Sequence, residues 1–203
     1  MISIDYIENK LLSQLKKRNI AEKAAVLIPI FQDETNQLHL LFQVRSPHLK
    51  WQPNDICFPG GHMEEIDSSP IQTALRETHE ELGIEATSIK ILGQLTPFLS
   101  KMGLKIYPII GYLSNLNMKL NHAEVAEVFS VPIDWFIANP PTKSHMKIAF
   151  KPSDDFPFDL VPYRSKKWQQ HSQHEVYFYH YQHYTIWGLT AQIVQSFINI
   201  VRQ

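Results

Sequence analysis

The sequence predicts an α/β fold with a strand hairpin near its start and a short, acidic helix. A continuous apolar run over residues 24–31 is typical of a buried strand, and residues 38–45 predict the next strand after a turn-like stretch. A helix should begin after Ser69, which can cap it ahead of a proline, and should end at Gly83.

The segments on either side of this helix predict further short elements. Residues 4–18 place apolar side chains at helical spacing, so we expect a peripheral N-terminal helix within residues 1–22. Further strands are expected at 55–58, 88–95, 105–113 and, after a turn, within 121–131, followed by a short helix at 132–136. Pro108 predicts an edge strand or a bulge, because proline has no N–H to donate to a neighbouring strand.

The last third of the chain has weaker signals. Residues 139–174 are rich in Pro, Lys, Ser and His and have no clear period, so we expect a long loop. Residues 175–181 alternate enough for a strand, and residues 186–190 lead into a C-terminal helix. The expected apolar face of that helix consists of Leu189, Ile193, Phe197 and Ile200. No linker divides the chain, so we expect one domain over residues 1–203.

The composition is that of an ordinary globular protein, with 44% hydrophobic and 19% charged residues. A net charge of -1 gives no reason to expect bulk binding to nucleic acid or to a membrane. No apolar run approaches the roughly 18 residues that span a bilayer, and the N-terminus does not resemble a signal peptide. Cys57 is the only cysteine, which excludes an internal disulfide and favours a small buried apolar role. We therefore expect a cytoplasmic protein.

The stretch from Phe58 to Ile84, FPGGHMEEIDSSPIQTALRETHEELGI, carries the candidate chemistry. In its turn, Pro59-Gly60-Gly61, the glycines let backbone atoms approach a ligand closely. In its helix, Glu77, Glu80 and Glu81 fall within roughly one third of the circumference. Clustered carboxylates are the ligands that Mg²⁺ and Mn²⁺ prefer. We predict Glu77 and Glu81 as metal ligands and Glu80 as a third ligand or a water-holding group; an exposed acidic face is the structural alternative.

This stretch resembles the signature of the Nudix hydrolases, whose helix ends in R-E-x-x-E-E-x-G, here Arg76 to Gly83. The fourteen residues between Gly61 and Arg76 are one more than in the general pattern, and with the string TALRE they resemble the coenzyme A pyrophosphatase branch. The segments LLFQVRS, at residues 40–46, and IWGLTA, at residues 186–191, are similar to the same branch. Gln52, Asn54 and Asp55 depart from it, since a common form has histidine, glycine and glutamine there.

The resemblance implies the Nudix fold, an α/β/α sandwich around a mixed sheet, and metal-dependent hydrolysis of a nucleoside diphosphate derivative. The implied substrate is a small nucleotide, coenzyme A or its thioesters, with Mg²⁺ or Mn²⁺ as cofactor; a homodimer is compatible with it. Gly60 or Gly61 would lend a backbone carbonyl to the metal. Arg76 and Glu80 are four residues apart, so we expect the arginine to orient a carboxylate.

Other polar residues have two interpretations each. Glu64 and Asp67 match acidic positions of the branch and could bind a second metal or cap the helix. Glu124 is the candidate general base, with Glu80 as the alternative, although a solvated acid at a strand end is an equal interpretation. Arg45 is a candidate for the substrate phosphates or a surface ion pair, and Lys50 is a weaker one.

Three rival hypotheses remain from the sequence. The first keeps the chemistry and changes the substrate to ADP-ribose or an oxidised nucleotide. The second is a catalytically silent nucleotide-sensing module, against which the intact carboxylate set argues. The third is a zinc site among His171, His174, His180 and His183, which the strand-like, tyrosine-rich setting disfavours.

Overall fold

The computed structural model describes residues 3–6, 9–10, 23–100, 103–160, 162 and 169–202. The described part of the predicted N-terminal helix is helical at residues 4–6 and 9–10, and the rest of it lies outside the described residues. The chain forms two compact units, residues 1–136 and 137–203. That both belong to a single domain stays a prediction. No helix among the described residues is both long and apolar enough to cross a membrane.

The first unit is built on an eight-stranded mixed sheet. Its strands are β1 (Lys23–Gln32), β2 (Leu38–Arg45), β3 (Ile56–Cys57), β4 (Gly60–His62), β5 (Ile89–Gln94), β6 (Phe98–Leu99), β7 (Lys105–Leu113) and β8 (Val125–Pro132). The main order is β3-β2-β1-β7-β5, with β4 beside β1, β6 beside β7 and β8 beside β2. Only the pairing of β1 with β7 is parallel among these strand pairs, so the predicted α/β class with a mixed sheet is confirmed.

Strand β1 is the apolar centre of this sheet, as its uninterrupted hydrophobic run predicts. Its first half pairs with β4, through Ala25 opposite Gly61 and Val26 opposite Gly60, and its last residues pair with β2. Leu27 N donates to Pro59 O at 2.9 Å, so the glycine turn itself is bonded to the central strand. The hairpin predicted from the sequence therefore also forms the support for the acidic stretch.

The acidic helix, α1, spans Pro70–Leu82, as its capping residues predict. The Ser69 hydroxyl accepts a hydrogen bond from Gln72 N at 3.3 Å, and Gly83 ends the helix with a φ of 68°. Ala74 and Leu82 of α1 pack with Leu27 of β1 in the core of this unit. A 3₁₀ turn, Ala86–Ser88, leads to β5, and a short helix, α2 (Ile133–Ala138), follows β8.

The prediction that Pro108 marks an edge strand is wrong, and the predicted alternative, a bulge, lies in the pairing of β7 with β5, which shifts register between Ile91 and Gly93 of β5. Pro108 lies in β7, which runs between β1 and β5 inside the sheet, and it pairs in register with Val26 of β1. Its carbonyl accepts a hydrogen bond from Leu95 N, just after β5 has ended. The missing N–H therefore faces the gap between β5 and β6, where a donor is not needed.

The second unit corrects the predicted loop at 139–174. It contains a three-stranded sheet in the order β11-β10-β9, followed by a helix. These elements are β9 (Thr142–Phe150), β10 (Gln169–Tyr181), β11 (Tyr184–Trp187) and α3 (Gly188–Val201). Most of β9 is exposed on both faces, which explains why its sequence shows no alternation of apolar and polar residues.

Helix α3 packs against β10 and β11 in its own unit, and the predicted apolar face is partly wrong. Ile193 and Phe197 are buried as expected, but Leu189 and Ile200 are exposed. The buried side chains are Ala191, Ile193, Val194, Phe197 and Ile198. The buried face is therefore centred on Ala191, Val194 and Ile198. Because apolar residues occur on nearly every side of this helix, the sequence alone does not show which side is buried.

Candidate active site

Gly60 and Gly61, predicted to lie in a turn, belong to strand β4, and the glycine turn they form with Pro59 lies so close to its neighbours that a side chain has no room there. A Cβ on Gly60 would be 2.3 Å from Ala25 O, and a Cβ on Gly61 would be 2.4 Å from the Glu77 Oε1 atom. Gly60 N donates to Glu81 Oε2 at 2.9 Å. The two glycines therefore let the turn fit between β1 and the acidic face of α1.

Glu81 is a buried carboxylate, only 3% exposed. Burial raises its pKa to about 7, and the negative charges of Glu77 and Glu124 add to the rise. The Gly60 N–H and the side-chain amide of Gln43 act in the opposite direction, because both favour the charged carboxylate. Glu81 is therefore a buried carboxylate, and a bound cation would lower its pKa and favour its charged form.

Glu77 lies beside Glu81 under a similar influence. Burial is the main cause that raises its pKa, and the charges of Glu80 and Glu124 raise it further, while Arg76 lowers it. Its carboxylate accepts a hydrogen bond from Arg76 Nη1 at 2.9 Å. The structure thus brings together the acidic residues that the sequence singles out in α1.

Arg76 connects the acidic face of α1 to the preceding loop. Its guanidinium forms a bidentate pair with Asp67, with Nε 3.2 Å from Oδ1 and Nη2 2.9 Å from Oδ2. Its Nη1 also donates to Glu80 Oε2 at 3.0 Å, the contact expected from their spacing, and Nη2 donates to His62 O at 3.1 Å. Arg76 is therefore engaged by the protein itself, which fits a residue that orients carboxylates.

Asp67 organises the loop ahead of α1. Its Oδ2 accepts hydrogen bonds from Glu64 N at 2.9 Å and from Thr73 Oγ1 at 3.1 Å, in addition to the bonds from Arg76. Chiefly because of Arg76, its pKa is lowered to about 2. Of the two interpretations given by the sequence, these contacts favour the structural one for Asp67. Glu64 has an exposed side chain and stays a candidate for a second metal.

Glu124 reaches the site from the segment before β8. Asn121 N donates to Glu81 O at 2.9 Å, Lys119 N donates to Leu82 O at 2.8 Å, and Ser46 N donates to Glu124 O at 2.8 Å. These bonds join the end of α1, the 119–125 segment and the end of β2. The charge of Glu124 raises the pKa of both Glu77 and Glu81, so the candidate base lies within electrostatic range of both candidate ligands.

Arg45 does not contact the carboxylates of α1. It is half-buried at the end of β2, and its Nη2 donates to Trp51 O at 3.3 Å. Its Nε is buried and has no hydrogen-bond partner among the described residues. The role of Arg45 in phosphate binding stays a prediction, and so does that of Lys50, which is exposed.

Sequence reasoning missed Gln43, whose amide interacts with Glu81 from the neighbouring strand. The signal was available as a polar residue within the apolar run of residues 40–44 in β2, where its side chain is fully buried. It also missed Asp67 as the main partner of Arg76, because the two residues are nine positions apart and outside any helical spacing.

The donor set fits a hard divalent cation by its chemistry. Among the described residues, no three His, Cys, Asp or Glu side chains are already arranged as a metal site. However, burial and the neighbouring carboxylates raise the pKa values of Glu77 and Glu81, a bound cation would favour their charged forms, and oxygen donors are what Mg²⁺ and Mn²⁺ take. For the zinc hypothesis, His180 lies near the end of strand β10 and not on a helix. The three-residue spacing between His180 and His183 therefore does not place the two side chains on one helical face.

The chain is similar to several known proteins. A family model for the NUDIX domain matches residues 21–151. The chain is 33% identical over 175 residues to an uncharacterized Nudix hydrolase, NudL, of Enterobacter sp., across 86% of this chain and 80% of that protein. It is 36% identical over 118 residues to the peroxisomal coenzyme A diphosphatase NUDT7 of Mus musculus, across 58% of this chain and 50% of that protein. The solved structure of the M. smegmatis Nudix hydrolase RenU has a TM-score of 0.49 and 22% identity, covering 58% of this chain and 74% of that one.

Proposed function

Because the chain belongs to the Nudix hydrolase family, whose members cleave pyrophosphate bonds, we propose that it hydrolyses the diphosphate of coenzyme A or its thioesters. The products would be adenosine 3′,5′-bisphosphate and 4′-phosphopantetheine or its acyl form. The observation that supports this most is the pair of carboxylates, Glu77 and Glu81, packed against Gly60 and Gly61. A Cβ at either glycine would clash with its neighbours, and Gly60 N donates to Glu81.

In this proposal Glu77 and Glu81 hold Mg²⁺ or Mn²⁺, with Glu80 as a third ligand or as the residue that holds a water. A bound divalent cation supplies neutralisation of phosphoryl charge and a more acidic water. Gly60 or Gly61 contributes a backbone carbonyl, as the family signature implies.

The proton of the attacking water would pass to Glu124 or to Glu80. Glu124 lies within electrostatic range of Glu77 and Glu81, and it comes from a different segment of the chain. Glu80 has a half-exposed side chain, and its carboxylate accepts a hydrogen bond from Arg76 Nη1 at 3.0 Å. The ion pair with Arg76 stabilises the charged form of Glu80 and so makes it a weaker proton acceptor. We therefore prefer Glu124 as the general base. Arg76 then serves to orient Glu77 and Glu80.

The substrate class rests on two supports. One is the longer loop between Gly61 and Arg76, with the strings TALRE and IWGLTA, which resemble the coenzyme A pyrophosphatase branch. The other is the similarity to a mouse protein named as a coenzyme A diphosphatase, over 58% of this chain. The departures at Gln52, Asn54 and Asp55 concern recognition of the substrate and leave the carboxylate set intact.

The test is a hydrolysis panel with coenzyme A, acetyl-coenzyme A, ADP-ribose, NADH and oxidised dGTP, each with Mn²⁺, with Mg²⁺ and with EDTA. Products are separated by chromatography. We expect the coenzyme A compounds to have the highest kcat/KM, and only with a metal present. Preference for ADP-ribose or oxidised dGTP would overturn the substrate assignment. Binding of these nucleotides without turnover would instead support a sensing module.

A further inference from the structure

Gln43 is a fully buried amide in the middle of an apolar strand. A buried amide is unfavourable unless hydrogen bonds replace those it makes with water. Its Nε2 donates to Cys57 Sγ at 3.6 Å, and sulfur is a weak acceptor. Its Oε1 has no hydrogen-bond partner in the part of the chain that the structure describes. Packing of the core alone therefore gives no reason for a glutamine here.

The side chain of Gln43 lies on the face of β2 that meets α1. Leu41 is two residues earlier on the same face, and it packs with Ala74 and Leu82 of α1. Gln43 is paired with Cys57 of β3, and Cys57 is close enough to Glu81 for that carboxylate to raise the thiol pKa. The strand thus presents an amide to the buried end of the acidic helix.

The Gly60 N–H donates to Oε2 of Glu81 at 2.9 Å. The Gln43 amide, which is bonded to Cys57 at 3.6 Å on the adjacent strand, lies near enough to the same carboxylate to lower its pKa. A single donor leaves the terminal torsion of a glutamate free to turn, because that torsion has broad minima. A second donor from a different element restricts the turn.

We propose that Gln43 is a positioning residue which, with the Gly60 N–H, fixes the Glu81 carboxylate in the orientation that receives the divalent cation. Gln43 touches neither cation nor substrate and acts through Glu81. This inference rests on the proposed function, since it takes Glu81 as a ligand of the metal used in diphosphate hydrolysis.

The test replaces Gln43 with methionine, which keeps the length of the side chain and removes the amide. Leu41→Met is the matched control, because it places the same residue on the same face of the same strand. Mn²⁺ binding to each protein is measured by electron paramagnetic resonance without substrate. We expect Gln43→Met to weaken Mn²⁺ binding about tenfold, as the loss of a group that orients a ligand does, and Leu41→Met to leave it within twofold.

Activity gives a second readout that a purely structural role would not move. With coenzyme A, Gln43→Met should have a reduced kcat at low Mn²⁺ and an unchanged KM for the substrate. Raising Mn²⁺ should restore kcat, because a weakened site can be filled by mass action. A loss that Mn²⁺ does not restore would overturn the proposal.

A double variant tests whether Gln43 acts through Glu81. In a Glu81→Gln background, Gln43→Met should weaken Mn²⁺ binding no further, and an additional tenfold loss would contradict the proposal. If Gln43→Met does not fold, Gln43→Asn takes its place, since it keeps the amide but withdraws it by one methylene. Unchanged Mn²⁺ binding in Gln43→Asn would then overturn the proposal.

The outcomes separate this inference from the proposed function. A wild-type protein that binds Mn²⁺ but hydrolyses no diphosphate would contradict the function and leave the Gln43 measurements standing. A wild-type protein that hydrolyses coenzyme A, alongside a Gln43→Met variant with normal Mn²⁺ binding, would contradict the inference alone.

Discussion

Glu81 combines the burial of a core residue with the charge of a ligand. It is 3% exposed, and its Oε2 accepts a hydrogen bond from Gly60 N. Such a group is expensive for a fold without a cation, so its presence indicates a function rather than a contribution to stability.

Glu81→Gln should lower kcat/KM with Mn²⁺ by at least about 100-fold, because the amide keeps the shape of the ligand and removes its charge. The fold should remain intact. The measurement is coenzyme A hydrolysis together with thermal unfolding. Glu85→Gln is the control, since Glu85 is an exposed carboxylate just beyond α1. Near-normal activity of Glu81→Gln would refute the metal assignment.

The raised pKa of Glu81 also predicts how stability depends on pH without metal. Its pKa is about 7 in the folded protein and near 4.5 when unfolded. Above pH 4.5 the unfolded chain releases this proton and the folded protein retains it, so stability falls from pH 4.5 to 7 and then levels off. The loss is on the order of 2–3 kcal/mol. The measurement is urea unfolding in EDTA at pH 5 and pH 8. The unfolding free energy of the wild type should fall between these pH values and that of Glu81→Gln should not, whereas an equal fall in both proteins would contradict the prediction.

The two glycines of the turn should respond differently to alanine. At Gly60 the new Cβ meets backbone atoms of Ala25 and Val26, which cannot move without distorting the central strand. At Gly61 its three nearest neighbours are the carboxylate atoms of Glu77, which stand at the far end of a side chain that can change rotamer. Gly60→Ala should therefore lose about 2–3 kcal/mol of unfolding free energy.

Gly61→Ala should remain within about 1 kcal/mol of the wild type and lose at least tenfold in activity, because Glu77 is displaced. The measurements are urea unfolding and coenzyme A hydrolysis of both variants. If both variants lose the same unfolding free energy, the Glu77 side chain does not move aside for the new Cβ and the prediction is contradicted.

At the scale of elements, the ion pair between Asp67 and Arg76 is the charged contact that joins the loop before α1 to the helix. Asp67 has a folded pKa of about 2, below its ordinary 3.8, so its pair with Arg76 adds stability that is complete above pH 4 and lost as the pH falls towards 2. Asp67→Asn should therefore lose about 1–2 kcal/mol at pH 7, and the gap to the wild type should narrow by pH 3. Chemical denaturation at the two pH values measures it. Asp154→Asn, at an exposed aspartate, should show neither effect, and a pH-independent gap for Asp67→Asn would contradict the assignment.

The elements that were predictable are those whose signals are local. The apolar run of β1, the hairpin with β2 and the capped helix α1 follow from periodicity and caps, and they lie where the sequence places them. Strand β9 was missed because an exposed strand has no apolar alternation to detect. The edge position predicted from Pro108 was wrong because the end of a neighbouring strand, which a sequence does not show, decides whether an N–H is needed.

At the scale of the whole molecule, the candidate site combines segments that are distant in sequence. The acids of α1 were predictable from helical spacing, and their metal chemistry from their clustering. By contrast, the influence of Gln43 on the pKa of Glu81 arises because α1 packs against the sheet that contains β2, and Glu124 arrives through backbone bonds after β7. Such contacts depend on strand order, which local patterns do not give. The family resemblance suggested Glu124 as a candidate base, and the polar residue Gln43 within an apolar run was overlooked.

The backbone bonds from Lys119 and Asn121 to the last turn of α1 have a consequence for measurement. The amide hydrogens of these two residues can exchange with solvent only when the end of the helix opens. A cation held by Glu81 stabilises that end, so Mn²⁺ should slow deuterium uptake in a peptide covering residues 117–122, while peptides from β9 should be unaffected. Equal uptake with and without Mn²⁺ would contradict the coupling. Deuterium uptake in residues 117–122, a segment without a predicted ligand, would then report whether the metal site is occupied.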